Sequence, residues 1–196
     1  MNITTTIIIK TTKINKIIQD YDYKLHLKCY NIVNYVMGEG LTIMEELQLV
    51  VFKLENEEYG VDIMQVQEIS PYQQPTKIPN SPSFVEGIVN LRGDITPVVS
   101  LKKKFNLAET EVTEMTRLII INNGSRKTGF VVDDASEVIS ISENNIEEAP
   151  SMIVGADRKY IQGIGKIDQR ILVILNLHEL LTEEEEDQLE DINNRA

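Results

Sequence analysis

After residue 43, apolar and polar residues alternate mostly with a period of two, and β-branched residues fill many of the apolar places. That period predicts strands rather than amphipathic helices. Leu47–Glu55 and Glu58–Ile63 read as two strands joined by an acidic turn at Asn56-Glu57. Val85–Leu91 and Ile95–Leu101 read as a hairpin turned at Arg92-Gly93-Asp94. Arg117–Asn122 and Lys127–Asp133 flank Asn122-Asn123-Gly124-Ser125, and Asn-Gly between apolar runs signals a hairpin because both residues accept positive φ. Ser136–Ile141 continues as a strand, and Tyr160–Ile167 with Arg170–Asn176 forms a last hairpin around Asp168-Gln169.

These segments repeat. Leu49-Val50-Val51-Phe52 matches Leu118-Ile119-Ile120-Ile121, 69 residues on. At the same offset Gly60-Val61 falls on Gly129-Phe130, and Glu68-Ile69 on Glu137-Val138. At an offset of 76, Val85-Glu86-Gly87-Ile88 matches Ile161-Gln162-Gly163-Ile164, and Ile95–Leu101 matches Ile171–Leu177 without a gap. A short helix is expected after each match, at Leu101–Phe105 and Leu177–Leu181. The body thus reads as two similar units of four or five strands each. Short strands with tight turns predict two small barrels, which remove exposed sheet edges. Units of about 70 residues are marginal alone, so the two are expected to share a core and fold as one piece. The seam between them is a natural partner groove. At the end, Thr182-Glu183-Glu184-Glu185 is a capping box that predicts an acidic helix from Glu183 to about Ile192.

Composition changes the picture in two places. Residues 1–43 are a compositionally distinct leader in which Ile, Lys, Asn and Tyr supply 22 of 43 residues. The leader carries +2 and residues 44–196 carry −14, within a total of −12. It lacks the basic start and apolar stretch of a signal peptide. Gly38-Glu39-Gly40 can be encoded by a purine run of the ribosome-binding type, three codons before Met44. Met44 is therefore expected to be the true start, with residues 1–43 non-native or poorly ordered. An intact mass matching a Met1 start would sink that expectation. The acidic balance argues against a phosphate-backbone binder and against docking on an anionic membrane surface. No apolar run approaches a membrane span. One Cys and two His leave no disulfide framework and little metal or nucleophile chemistry.

The remaining motifs are thin. His178 could serve as a base, but no motif sets a nucleophile beside it. Asp133-Asp134 could be paired acids, yet neighbours on a strand point to opposite faces. Gly124–Gly129 has phosphate-loop spacing but lacks the Lys-Ser/Thr that follows and leads into a strand. Lys102-Lys103-Lys104 reads as a solvated face before a nucleic-acid patch.

One resemblance is specific. Phe52-x-Leu54, Glu58-Tyr59-Gly60-Val61-Asp62-Ile63 and Val66-Gln67-Glu68-Ile69 resemble the opening of the bacterial chemotaxis coupling family CheW. Ile78-Pro79-x-x-Pro82 follows in place, and Gly87-Ile88-Val89-Asn90-Leu91-Arg92-Gly93 with Pro97-Val98 and Leu101 is the most diagnostic block. Gly129-Phe130-Val131-Val132-Asp133 and Gly163-Ile164 complete the pattern, which spans about Leu47 to Leu189. Asp134-Ala135 departs from it at a bend where related sequences often carry Gly.

The resemblance implies two five-stranded SH3-like barrels, mostly β with short helices, and a scaffold that is not an enzyme and needs no cofactor. Its implied partners are the cytoplasmic tip of methyl-accepting chemoreceptors and the regulatory domain of the histidine kinase CheA, with no nucleic acid and no membrane insertion. It implies a cytoplasmic protein recruited to receptor arrays. Arg92 and Glu68 match receptor-coupling positions. Ile63 and Val66 would face the groove between barrels where a receptor helix lies, although strand alternation equally allows them to be core. Val138, the repeat-equivalent of Ile69, would line the groove's other side. Kinase contacts are expected at the barrel ends. Gly87 is assigned there, though like Gly93, Gly129 and Gly163 it serves backbone geometry first. The competing reading from another class is a small hydrolase or ligand-binding barrel using Asp133 and His178.

Overall fold

The computed structural model describes residues 46–109, 111–123, 126–150 and 157–195. The expectation for residues 1–43 falls outside them, as do Gly124 and Ser125 of the Asn-Gly turn. Eleven strands run in order among the described residues: β1 (Glu46–Leu54), β2 (Glu57–Asp62), β3 (Val66–Pro71), β4 (Val85–Leu91), β5 (Asp94–Ser100), β6 (Arg117–Asn123), β7 (Arg126–Val132), β8 (Asp134–Ser142), β9 (Ile146–Glu147), β10 (Ile161–Ile167) and β11 (Arg170–Leu175). Two one-turn helices lie between strands, α1 (Leu101–Lys104) and α2 (Asp157–Tyr160), and a longer one, α3 (Glu183–Arg195), follows the last strand.

The strands form two sheets. One has the order β8-β1-β2-β11-β10-β9, the other β3-β6-β7-β5-β4. They are called barrel A and barrel B below. The repeat maps five strands of the first onto the five of the second with agreeing registers; the sixth, β9, makes the first sheet one strand larger than the five expected, and only an isolated Thr76–Ile88 bridge stands at its place in the second. Val51 faces Gly60 as Ile120 faces Gly129, and Glu137 faces Val51 as Glu68 faces Ile120. A parallel pair closes the same place in each, β2 with β11 and β5 with β7.

The barrels are nevertheless not the sequence repeats. Barrel B is built from β3 to β7, three strands of the first repeat and two of the second. Barrel A takes its β1–β2 hairpin from the first repeat and the rest from the second. The expectation that each repeat unit folds into its own barrel is corrected accordingly. Barrel B is continuous in the chain, while barrel A is closed only when the two ends of the body meet.

The same exchange explains the uninterrupted apolar runs. On β1, Leu49 and Val51 pack with Ile141, Leu172 and Ile174 inside barrel A. Val50, Phe52 and Leu54 point the other way, into a larger cluster shared by the two sheets. On β6, Leu118 and Ile120 join Val89 and Val98 inside barrel B, while Ile119 and Ile121 enter the shared cluster. A strand buried on both faces needs apolar residues at every position. Each such side chain contributes about 1.5–3 kcal/mol by leaving water.

Two-residue turns close the hairpins. Leu54 pairs with Glu57, so the first turn is Glu55-Asn56, one residue earlier than the pattern predicted. Leu91 pairs with Asp94 around Arg92-Gly93, and Ile167 with Arg170 around Asp168-Gln169. Glu55, Arg92 and Asp168 open these turns with φ of 57°, 55° and 54°. The left-handed start matches the right-handed twist of the flanking strands.

The acidic helix α3 is present and longer than expected. The Glu185 N–H donates to Thr182 Oγ1 at 3.3 Å, and the Thr182 N–H to Glu185 Oε2 at 2.9 Å, which completes the capping box. The Glu185 carboxylate also accepts from Lys104 Nζ at 2.5 and 2.6 Å, tying α3 to α1. Leu189 anchors the helix in the shared core.

Candidate functional site

The hairpin turn presents Arg92 to solvent. Gly93 follows with φ of 97°, and its N–H donates to Asn90 Oδ1 at 2.8 Å. Asn90 thereby fixes the turn. From it, Arg92 Nη2 donates to Glu68 Oε1 at 2.9 Å. The arginine side chain is 82% exposed and the glutamate side chain 32%. Glu68 stands on β3 and Arg92 follows β4, the two outer strands of barrel B. The ion pair therefore crosses the seam where the sheet comes round upon itself.

Two of the expected groove residues lie beside this seam. Asp62 Oδ1 accepts from the Met64 N–H at 2.9 Å and caps the 3-10 turn Ile63–Gln65. Ile63, Val66 and Ile69 are half-buried and pack on the shared core, so they belong to it and still show a face to solvent. Val66 stands opposite Ile121 and Ile69 opposite Ile119. Met64, at the crest of the turn, is exposed. Val138 belongs to barrel A. It stands opposite Val50 on β1, and opposed residues share a face. It therefore looks the same way as a shared-core residue yet remains 55% exposed. Arg92 and Glu68 are joined directly, Ile63 and Val66 flank the same strand, and Val138 sits in the other sheet.

Gly87 is buried, with φ of 138°. A Cβ there would lie 2.1 Å from the Thr76 carbonyl oxygen. Thr76 and Ile88 exchange backbone hydrogen bonds of 2.8 and 3.0 Å across this approach. The residue is required by backbone contact and offers a partner no side chain.

Each residue of the catalytic alternative is engaged elsewhere. Asp133 accepts from the Glu55 N–H at 2.7 Å and pairs with Lys102 Nζ at 2.6 Å. It lines a small cavity with Tyr72, Glu86, Lys102 and Thr116, and His178 is not among the lining residues. His178 sits instead in the 3-10 turn Leu177–Glu179, where the Asn176 side chain caps the backbone. Among the described residues, no three acidic, histidine or cysteine side chains form a group that could hold a metal.

The lysine triplet is also corrected. Lys102 is buried against Asp133, Lys103 pairs with Glu86 at 2.9 Å, and Lys104 meets Glu185. These three cations brace the barrels and α3 rather than forming a solvated face or a nucleic-acid patch. Several features gave no local signal. Gln65 Oε1 accepts from the Leu177 N–H at 3.0 Å, linking the two 3-10 turns. Phe52, Tyr59, Phe105 and Tyr160 stack in succession at 5.6, 6.1 and 5.4 Å. Burial, then Glu57 and Glu55, holds the Tyr59 phenol above its usual ionisation range.

The molecule is a double barrel with an exposed ion pair at one seam and half-buried apolar residues beside it, a layout suited to a scaffold. No helix among the described residues is long and apolar enough to cross a membrane. Residues 48–185 match the CheW-like domain, and the chain belongs to that family. It is 40% identical over 146 residues to the chemotaxis protein CheW of Klebsiella aerogenes, covering 74% of this chain and 87% of that protein. It is 36% identical to CheW of Bacillus subtilis, covering 70% and 88%. The crystal structure of the scaffolding protein TtCheW from Thermoanaerobacter tengcongensis is similar at a TM-score of 0.65 and 38% identity, covering 76% of this chain and 96% of that one. The chain is thus a chemotaxis adaptor of the CheW family and not an enzyme.

Proposed function

We propose that this adaptor couples the cytoplasmic tip of methyl-accepting chemoreceptors to the regulatory domain of the histidine kinase CheA within signalling arrays. The observation that carries the receptor side is the exposed Arg92–Glu68 pair next to half-buried Ile63 and Val66. An amphipathic receptor helix needs apolar anchors and a charged rim to fix its register. Val138 supplies the matching anchor from barrel A. Gly87 serves the kinase side through its backbone alone, by letting the Thr76 segment bridge to β4. The adaptor works in the cytoplasm and is held at arrays by its receptor contacts. Its working body lies within residues 44–196.

Two separate surfaces on one rigid body turn weak pairwise contacts into a cooperative lattice. Receptor state then shifts kinase populations through contacts that differ between the two states. Titration calorimetry with a receptor-tip dimer and with the kinase regulatory domain from the same organism tests this. Both partners are expected to bind at once. Charge reversal at Arg92 is expected to abolish the first binding and keep the second. Failure to bind either partner would overturn the proposal.

A further inference from the structure

The two barrels carry the same ion-pair frame at equivalent places, with the signs permuted. In barrel A, Arg170 opens β11 and meets Glu137 twice, Nη1 to Oε2 at 3.0 Å and Nη2 to Oε1 at 3.1 Å. Its Nη1 also lies 3.5 Å from Glu58 Oε2. The repeat places Asp94 where Arg170 stands, Lys127 where Glu58 stands, and Glu68 where Glu137 stands. In barrel B, Lys127 pairs with Asp94. Glu68 is met by Arg92, whose repeat partner is Asp168. Both turn residues have the same left-handed φ, 55° and 54°.

The cation has therefore moved two residues along the hairpin, from the strand in barrel A to the turn in barrel B. The consequence is exposure. Arg170 is held by both arms of its guanidinium, a geometry that fixes it. Arg92 makes one contact and keeps an 82% exposed side chain.

We propose that Asp94 and Lys127 are positioning residues for Arg92. With an anion at the strand position and Lys127 neutralising it, no cation from β5 reaches Glu68, and Glu68 is left for the arginine of the turn. Arg92 is thereby both anchored and presented. This rests on the reading of Arg92 as the receptor-facing residue.

The test has two arms on the full chain. The first follows arginine side-chain Nε–Hε signals by NMR. In the parent protein, Glu68→Gln shifts the Arg92 signal. In the double variant Asp94→Arg/Lys127→Glu, which copies barrel A's charges, Glu68→Gln is expected to shift the introduced arginine and leave Arg92 unmoved. A continued response of Arg92 would overturn the proposal. Lys127→Gln is a gentler variant should the double one not fold. With Asp94 released, Arg92 is shared, and its response to Glu68→Gln is expected to fall. An unchanged response would overturn the proposal there too. The second arm measures receptor-tip binding by the double variant, expected to weaken about fivefold as the arginine loses its anchor. Unchanged binding with a switched spectrum would support the positioning and overturn the receptor role of Arg92.

Discussion

Barrels A and B share strand order, registers and hairpin turns, yet the chain builds them differently. Barrel B is one continuous stretch, Val66 to Val132, whereas barrel A joins the β1–β2 hairpin to strands that begin at Asp134. Their seams differ as well. Barrel A locks its arginine in a bidentate pair, and barrel B leaves its arginine in the open. The comparison teaches that one fold, used twice, can tie down the seam arginine in one copy and expose it in the other. Both depend on a core that belongs to neither alone, since Phe52 of barrel A and Phe130 of barrel B lie in the same cluster.

The largest expected effects break that shared core. Phe52→Ala should cost about 3–5 kcal/mol and lower both barrels together in one urea transition. Two separated transitions would show that the barrels are independent. Next is Gly87→Ala, where a Cβ would run into the Thr76 carbonyl on a left-handed backbone. A loss of about 2–4 kcal/mol is expected, read by thermal melting.

A smaller effect is expected from acid. Burial raises the Glu185 carboxyl, but hydrogen bonds from Lys104 and Thr182 outweigh it, and the net ionisation falls below the usual range. A depressed carboxyl adds stability that is complete above its unfolded value and is lost as pH falls through the folded one. Docking of α3 should therefore weaken on acidification through and below the ordinary carboxylate range, followed by far-UV circular dichroism. Glu185→Gln should remove about 1 kcal/mol at pH 7 and flatten that dependence. The smallest effect on stability is expected at Arg92→Ala, under about 1 kcal/mol, because a single exposed ion pair contributes little.

Much of this architecture was legible in the chain. The runs Leu49–Phe52 and Leu118–Ile121, the two repeat offsets and the Thr182–Glu185 box announced strands, duplication and a capped helix. The exchange of strands between repeats was not legible, because β1 finding β8 is a choice between equivalent partners that no local pattern records. The lysine triplet misleads for a similar reason. Lys102 looks solvated until Asp133 arrives from β7's end to pair with it. At the site, Gly93 betrayed the tight turn that exposes Arg92, and the family resemblance marked Arg92 and Glu68 separately. Their mutual contact depends on how barrel B closes, which the sequence does not state. The alternative built on Asp133 and His178 meets a different chemistry, since Asp133 is tied to Lys102 and to the Glu55 N–H.

The most direct test is titration of a receptor-tip dimer and of the kinase regulatory domain into three proteins: the parent chain, Arg92→Ala and Arg170→Ala. The account predicts that Arg92→Ala loses receptor binding alone and that Arg170→Ala keeps both. Equal loss of both partners in Arg92→Ala, or loss of receptor binding in Arg170→Ala instead, would contradict it.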